Sequence, residues 1–267
     1  MAHMLYHKVY KHPTATDWVV LVHGAGGSSS IWFRQLRDYM ANFNVLLLDL
    51  RGHGKSKDVF AQRNYSFNDV SRDVLEVMQH VGIEKAHFVG ISLGTLIIRT
   101  IAEIDRSKIQ TMILGGAITR LNIRSRFLVW LADTVKPFVP FIWIYTICAY
   151  ILMPRARNRE SRSLFIEDAK KLRQSEFLRW FTLTASINPL LRYFREKELP
   201  IPTLYLMGDE DYMFLPQVKN IVRQHKNAEL KVLKNCGHVC NVEQPELFNR
   251  YSIEFMRQYS VASSSAI

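Results

Sequence analysis

The pentapeptide Gly90-Ile91-Ser92-Leu93-Gly94 constrains this chain more than any other stretch, because the apolar run Ala86-His87-Phe88-Val89 precedes it and a helix-like run, Thr95-Leu96-Ile97-Ile98-Arg99, follows. The first run reads as a buried strand and the second as a helix, so G-x-S-x-G has to turn strand into helix within five residues. Glycines two before and two after the serine leave room for a neighbouring strand and helix. The sharp turn lifts Ser92 above the sheet edge, at the first turn of a helix and in its positive field. Gly and Ser are common residues, so the pentapeptide gains its weight from its flanks and from the rest of the chain.

Four further segments fall where an acyl-transfer site on a parallel sheet needs them. Trp18-Val19-Val20-Leu21-Val22 is a buried strand that opens into His23-Gly24-Ala25-Gly26-Gly27, a loop with little side-chain bulk that can offer backbone N–H groups to an anion. Val45-Leu46-Leu47-Leu48 is a second buried strand, running into Asp49-Leu50-Arg51-Gly52-His53-Gly54-Lys55-Ser56. Pro202 to Met207 closes on Gly208-Asp209-Glu210-Asp211, and Leu230-Lys231-Val232-Leu233 leads into Asn235-Cys236-Gly237-His238. Carboxylates and a histidine thus arrive at the carboxyl ends of strands, the edge where open parallel sheets bind ligands.

In this order these segments resemble the α/β-hydrolases, and the likeness covers most of the chain. The resemblance implies a mostly parallel central sheet flanked by helices, with Ser92 as nucleophile, Asp211 as acid and His238 as base, in the family's order of nucleophile, acid, histidine. The chemistry asks for the same roles. A serine hydroxyl is a poor nucleophile at neutral pH, so an imidazole titrating near 6.5 has to take its proton and later return it to the leaving alcohol. The carboxylate fixes the imidazole tautomer and stabilises the imidazolium. The Leu93 N–H, directly after the nucleophile, and the Ala25 N–H in the glycine-rich loop are the expected oxyanion donors.

Each residue also has a plainer reading. Asp209 and Glu210 compete with Asp211 for the acid role; the family places its acid three residues after the strand-ending glycine, which leaves the other two as solvated turn carboxylates. His23 orients its loop by hydrogen bonding in the family, and His53 reads as a structural or turn residue. His3, His7, His12, His80, His87 and His225 have no partner in sequence and read as surface or satisfied core histidines. Cys236 and Cys240 flank His238 at a spacing that invites zinc, but a structural site needs four ligands and no second pair is visible. No metal or organic cofactor is expected.

With 267 residues and 48% hydrophobic content the chain can bury a sizeable core in one α/β unit. Three cysteines at irregular spacing argue against a disulfide framework and fit a reducing, cytoplasmic setting, and the first residues carry no apolar signal segment. Met1-Ala2-His3 reads as a cloning remnant and Ser260 to Ser265 as a frayed tail. Val70, Val74, Leu75, Val77, Met78 and Val81 predict a helix from Phe67 that stops at Gly82, and Pro245 starts a final amphipathic helix that braces the histidine loop.

Between the strand Met112-Ile113-Leu114 and the one near Pro202 lie about eighty residues, too many for a connection. The expected division is a core of residues 1–118 and 200–267 with a helical cap over Ser92 at 119–199. The first half of the cap is apolar and aromatic, with Phe127, Leu128, Trp130, Phe138, Trp143 and Tyr145 among its residues. Trp130, Phe138 and Trp143 are its candidate substrate-binding residues, lining an apolar pocket. Phe138 to Met153 carries no charge but falls short of about 20 residues and holds Pro140, so it reads as a buried cap helix. The competing reading is peripheral membrane contact, with Arg155, Arg157, Arg159 and Arg162 on anionic headgroups. Residues 119–199 hold fifteen Lys/Arg against seven Asp/Glu, a surplus of eight in a formal net charge of +11. A solvated basic face is the plainest account of it, and no nucleic-acid-binding module accompanies the charge.

These readings converge on a serine carboxylesterase acting on a small, apolar ester of short to medium acyl chain. Related expectations keep the triad and change the bond to a lactone, thioester, amide or C–C bond of a diketone, with Arg120, Arg124 and Arg126 available to an acidic substrate. Another keeps the triad in a slow-turnover ligand sensor, since fold alone does not determine function. Dehalogenase and epoxide-hydrolase chemistry is disfavoured, because those relatives carry an aspartate where Ser92 stands. No motif speaks to oligomeric state.

Overall fold

The strands predicted from apolar runs assemble into one seven-stranded sheet of order β1-β3-β2-β4-β5-β6-β7. In this computed structural model, which describes residues 4–57, 65–121, 130–131, 133–135, 138–185 and 187–260, the strands are β1 (His7–Tyr10), β2 (Trp18–Val22), β3 (Asn44–Leu48), β4 (Ala86–Ile91), β5 (Ile109–Gly115), β6 (Thr203–Gly208) and β7 (Ala228–Leu233). All neighbours run parallel except β1, which pairs antiparallel with β3. β1, the sequence His-Lys-Val-Tyr, is half exposed along its length and carries no apolar run, which is why periodicity does not reveal it.

Helices cover both faces. On one side α2 (Phe67–Val81) and α3 (Leu93–Ile104) pack on Val20, Val22, Phe88, Met112 and Leu114. On the other, α1 (Phe33–Met40) and the C-terminal helix Pro245–Gln258 enclose Val19, Leu21, Val89, Ile113 and Leu204 with Trp32, Tyr39 and Phe248. Alternate residues of β2 thus serve opposite cores, as a strand buried on both faces requires. α2 begins where Ser66 and Asp69 exchange side-chain and backbone hydrogen bonds in a capping box.

The large insertion between β5 and β6 is helical: α4 (Phe141–Leu152), α5 (Arg159–Ala169), α6 (Gln174–Ala185) and α7 (Asn188–Glu196). After β6 come α8 (Leu215–Gln224), the single turn α9 (Cys240–Glu243) and α10 (Pro245–Gln258). The insertion has a core of its own in Ile144, Tyr145, Ala169, Leu172 and Phe177. It is also tied to the sheet domain, for Ala149 and Met153 pack with Val239 and Val242, and Trp180, Leu191 and Phe194 join the core beside α3. Phe127, Leu128, Arg124 and Arg126, together with Met1 to His3 and the tail beyond Ser260, lie outside the described residues. Among the described residues, no helix is long and apolar enough to cross a membrane.

Candidate active site

Ser92 occupies a backbone conformation that side chains rarely adopt, φ 52° and ψ −118°, between the last residue of β4 and the first of α3. The strain is held by its surroundings. The Ser92 N–H continues the sheet to the Gly115 carbonyl at 2.9 Å, while the Ser92 carbonyl accepts from the Thr95 N–H and hydroxyl at 3.0 and 2.6 Å. The flanking glycines answer to close approach: a Cβ at Gly94 would lie 2.2 Å from the Val22 carbonyl oxygen, and one at Gly90 would lie 2.6 Å from the Ile98 side chain.

His238 reaches this serine from the loop after β7. Its Nε2 lies 2.9 Å from Ser92 Oγ and its Nδ1 lies 2.8 Å from Asp211 Oδ2. An ionised carboxylate only accepts, so Nδ1 carries the proton and Nε2 is left to accept from the serine hydroxyl. The structure thus brings Ser92, Asp211 and His238 together from the ends of β4, β6 and β7, although 146 residues separate the serine from the histidine. Asp211 and His238 are buried, and Phe214 packs on the imidazole with ring centres 5.3 Å apart. The competing carboxylates point elsewhere: Asp209 accepts from the Cys236 N–H at 3.1 Å, and Glu210 is half-buried against Arg157 of the insertion at 3.6 Å.

Leu93 is the first residue of α3, where N–H groups have no acceptor within the helix, and Ala25 lies across the cavity in the loop after β2. That loop is pinned by two histidines that bind in a reciprocal pattern. His23 Nδ1 donates to the Gly24 carbonyl at 2.8 Å while its Nε2 accepts the Leu50 N–H at 2.9 Å. His53 Nδ1 donates to the Arg51 carbonyl at 3.0 Å while its Nε2 accepts the Gly26 N–H at 2.9 Å. Each imidazole spans the loops after β2 and β3, and each must be neutral to do so. Burial lowers the His23 imidazole and pushes His53 down to about 3, with neighbouring His23 adding to the latter. Asp49 adds a third tie, accepting from the Ser29 N–H at 2.7 Å and the Lys55 N–H at 2.9 Å. His87, by contrast, is a core histidine bonded to Thr111 at 2.8 Å, its imidazole lowered by burial to about 4.

Ser92 and His238 face a cavity of about 40 Å³ walled mainly by Ile31, Leu152, Met153, Leu164, Phe165 and Val239. Its wall is mostly apolar, with Ser161 and Asp168 the polar members besides Ser92 and His238, and the expected residues do not form it. Trp130, Phe138 and Trp143 are 60%, 84% and 63% exposed and line no part of it. The reason lies in α4, whose charge-free sequence gives periodicity no polar face to detect. The helix turns Ile144, Tyr145 and Ala149 inward and leaves Trp143 outside. The helix expected to be buried is so on one face only; its other face meets solvent. Arg120, proposed for acidic substrates, is exposed and outside the described cavity.

The sequence also conceals a set of polar residues that tie the histidine loop to the insertion. Glu243 accepts from the Gly237 N–H at 2.7 Å, Asn158 Nδ2 at 2.6 Å and Ser161 Oγ at 2.8 Å. Asn158 and Ser161 are buried, yet nothing in their local pattern marks them, since their partner lies more than eighty residues away. Tyr145 of α4 lies against the other loop, its ring 2.7 Å from where a Cβ at Gly26 would stand. Cys236 and Cys240 are buried free thiols, raised by burial. Among the described residues, no three His, Cys, Asp or Glu side chains are grouped to hold a metal ion.

Comparison with known proteins places the chain in a family. The chain is 26% identical over 246 residues to RutD of Stutzerimonas stutzeri (strain A1501), assigned as a carbamate hydrolase, covering 90% of this chain and 91% of the relative. Its fold matches the enol-lactonase from Burkholderia xenovorans LB400 with a TM-score of 0.80 at 20% identity, over 95% of this chain and 96% of that one. It likewise matches a thermophilic esterase from Thermogutta terrifontis with a TM-score of 0.80 at 19% identity, over 96% and 94% of the two chains. The model of the Alpha/beta hydrolase family matches residues 19–251, spanning every strand of the parallel sheet, the turn at Ser92 and the loop of His238, and the chain belongs to that family.

Proposed function

We propose that this chain is a serine hydrolase that cleaves carboxylic esters of short to medium acyl chain through an acyl-enzyme on Ser92. The observation that carries the reading is the unbroken hydrogen-bonded series from Ser92 Oγ through His238 to Asp211, at 2.9 and 2.8 Å. In this reading the Ser92 oxygen attacks the ester carbonyl carbon as His238 Nε2 takes its proton, and the imidazolium is stabilised by Asp211. The Leu93 and Ala25 N–H groups hold the tetrahedral oxyanion, each contributing about 3 kcal/mol to the transition state. His238 returns the proton to the leaving alcohol, and a water activated by the same nitrogen then releases the acid and frees Ser92. The reaction uses no metal or organic cofactor. Residues 119–199 act as the cap that bounds the acyl pocket, and the small apolar cavity favours short acyl groups over long ones. The relatives' carbamate, lactone and ester names share one step, attack at an acyl carbon, and support hydrolysis of a carboxylic derivative as the reaction class. A cytoplasmic setting belongs to this reading, in keeping with three free thiols.

Initial rates on p-nitrophenyl esters of graded chain length, compared between the wild type and Ser92→Ala, test the reading. The alanine variant is expected to lose about 10⁴-fold or more in kcat. Equal rates in the two proteins would sink it. Labelling of Ser92 by a serine-directed fluorophosphonate, lost in His238→Ala, checks the activation step separately.

A further inference from the structure

Among the described residues, the outer face of α4 takes no part in the cavity and meets no other element that covers it. Trp143, Ile147 and Tyr150 recur at i, i+4 and i+7 and are 63%, 59% and 55% exposed, while the opposite face, Ile144, Tyr145 and Ala149, is buried. Phe138, just ahead of the helix, is the most exposed of these at 84%. Three large apolar side chains aligned on one helix face, with an exposed Phe138 three residues before the helix, exceed the scattered surface hydrophobics of an ordinary monomer.

What surrounds the ridge selects its partner. The Arg162 guanidinium stacks on the Tyr150 ring at 4.3 Å, and Arg155 and Arg159 are exposed on the segment that follows. The acidic side chains of α5 are already taken: Glu160 pairs with Arg34, Glu167 with Lys170 and Asp168 with Lys171. The rim is therefore positive, in an insertion whose basic surplus is eight. A second copy of the chain would bring like charge against like, whereas an anionic lipid surface complements it. Trp and Tyr are the side chains that settle at headgroup depth, and a helix of 12 residues is too short to cross the hydrocarbon layer, so it would lie along it.

We propose that this ridge docks the protein on an anionic lipid surface, with Phe138 and Ile147 dipping among the acyl chains, Trp143 and Tyr150 at headgroup depth, and Arg155, Arg159 and Arg162 resting on the phosphates. The inference stands apart from the esterase reading, because neither the ridge nor its test involves Ser92.

Co-sedimentation of the full chain with vesicles tests it, using phosphatidylcholine alone and phosphatidylcholine mixed with phosphatidylglycerol. Binding is expected to the mixed vesicles, at least about tenfold stronger than to phosphatidylcholine alone, and weakened by added salt. Ile147→Ser combined with Tyr150→Ser should lower the partition by about tenfold or more, with the thermal unfolding midpoint retained because both side chains are exposed. Arg155→Glu combined with Arg159→Glu should abolish the preference for anionic vesicles while leaving the ridge intact. Absence of binding to either vesicle would overturn the proposal, as would a serine double variant that binds like the wild type. So would light scattering in which the wild type self-associates through this ridge and ignores vesicles, which would assign the face to a second copy.

Discussion

At Ser92 a β-carbon is held at φ 52°, and the imidazole that faces it is fixed by a carboxylate on one side and by its loop on the other. Glu243 sets that loop: its two oxygens receive three donors, the Gly237 N–H, Asn158 and Ser161. Glu243→Ala removes both acceptor oxygens and leaves the Gly237 N–H and the Asn158 amide without their partner, at a cost of about 1–3 kcal/mol each. The expected result is a lower melting midpoint and a kcat on a short ester reduced severalfold, with KM changed less, since the loss falls on the placement of His238; steady-state kinetics and thermal unfolding check both. The convergence of Ser92, Asp211 and His238 was legible because each follows a strand-ending signature that includes a glycine. Glu243 was not, because its importance arises from donors that only folding brings to it.

At the scale of elements, the fold depends on how closely α3 approaches β2. Gly94→Ala would push a methyl group to 2.2 Å from the Val22 carbonyl oxygen, backbone that cannot turn aside. Overpacking of this kind costs about 1–3 kcal/mol, so the variant should show a clearly lowered denaturation midpoint and displaced Ser92, measured by urea unfolding and fluorophosphonate labelling rate. Two buried histidines, His53 in the loop after β3 and His87 on β4, carry a different liability. His53 and His87 are held neutral by burial, at about 3 and about 4. Their unfolded values lie near 6.5, so below that pH the unfolded chain binds protons that the folded one refuses. Stability contributed by these groups is complete above pH 6.5 and falls as the pH drops towards 4, by up to about 1.4 kcal/mol per pH unit for each group. Urea unfolding at stepped pH should show this slope, and His87→Gln should make it shallower. Long apolar strands and periodic helices such as α2 were readable from the sequence; β1 was not, because an edge strand needs only a neighbour's hydrogen bonds and no buried run.

At the scale of the whole molecule, the insertion does two things at once, closing the cavity with Met153, Leu164 and Phe165 and locking onto both site loops through Tyr145 and Asn158. Phe165→Ala should enlarge the acyl space, shifting the ratio of rates on octanoyl to acetyl p-nitrophenyl esters upward by about tenfold; an unchanged ratio would place the acyl group elsewhere. The sequence by itself determined the parallel α/β sheet, the helical insertion and the three residues that meet at its edge, because strand, turn and cap chemistry are local and leave a local trace. Only the tertiary structure decided which face of α4 looks inward, which residues wall the cavity and which polar groups couple the insertion to the histidine loop. Those choices arise from packing between segments distant in the chain, and an element apolar on every side carries no record of which side its neighbours cover.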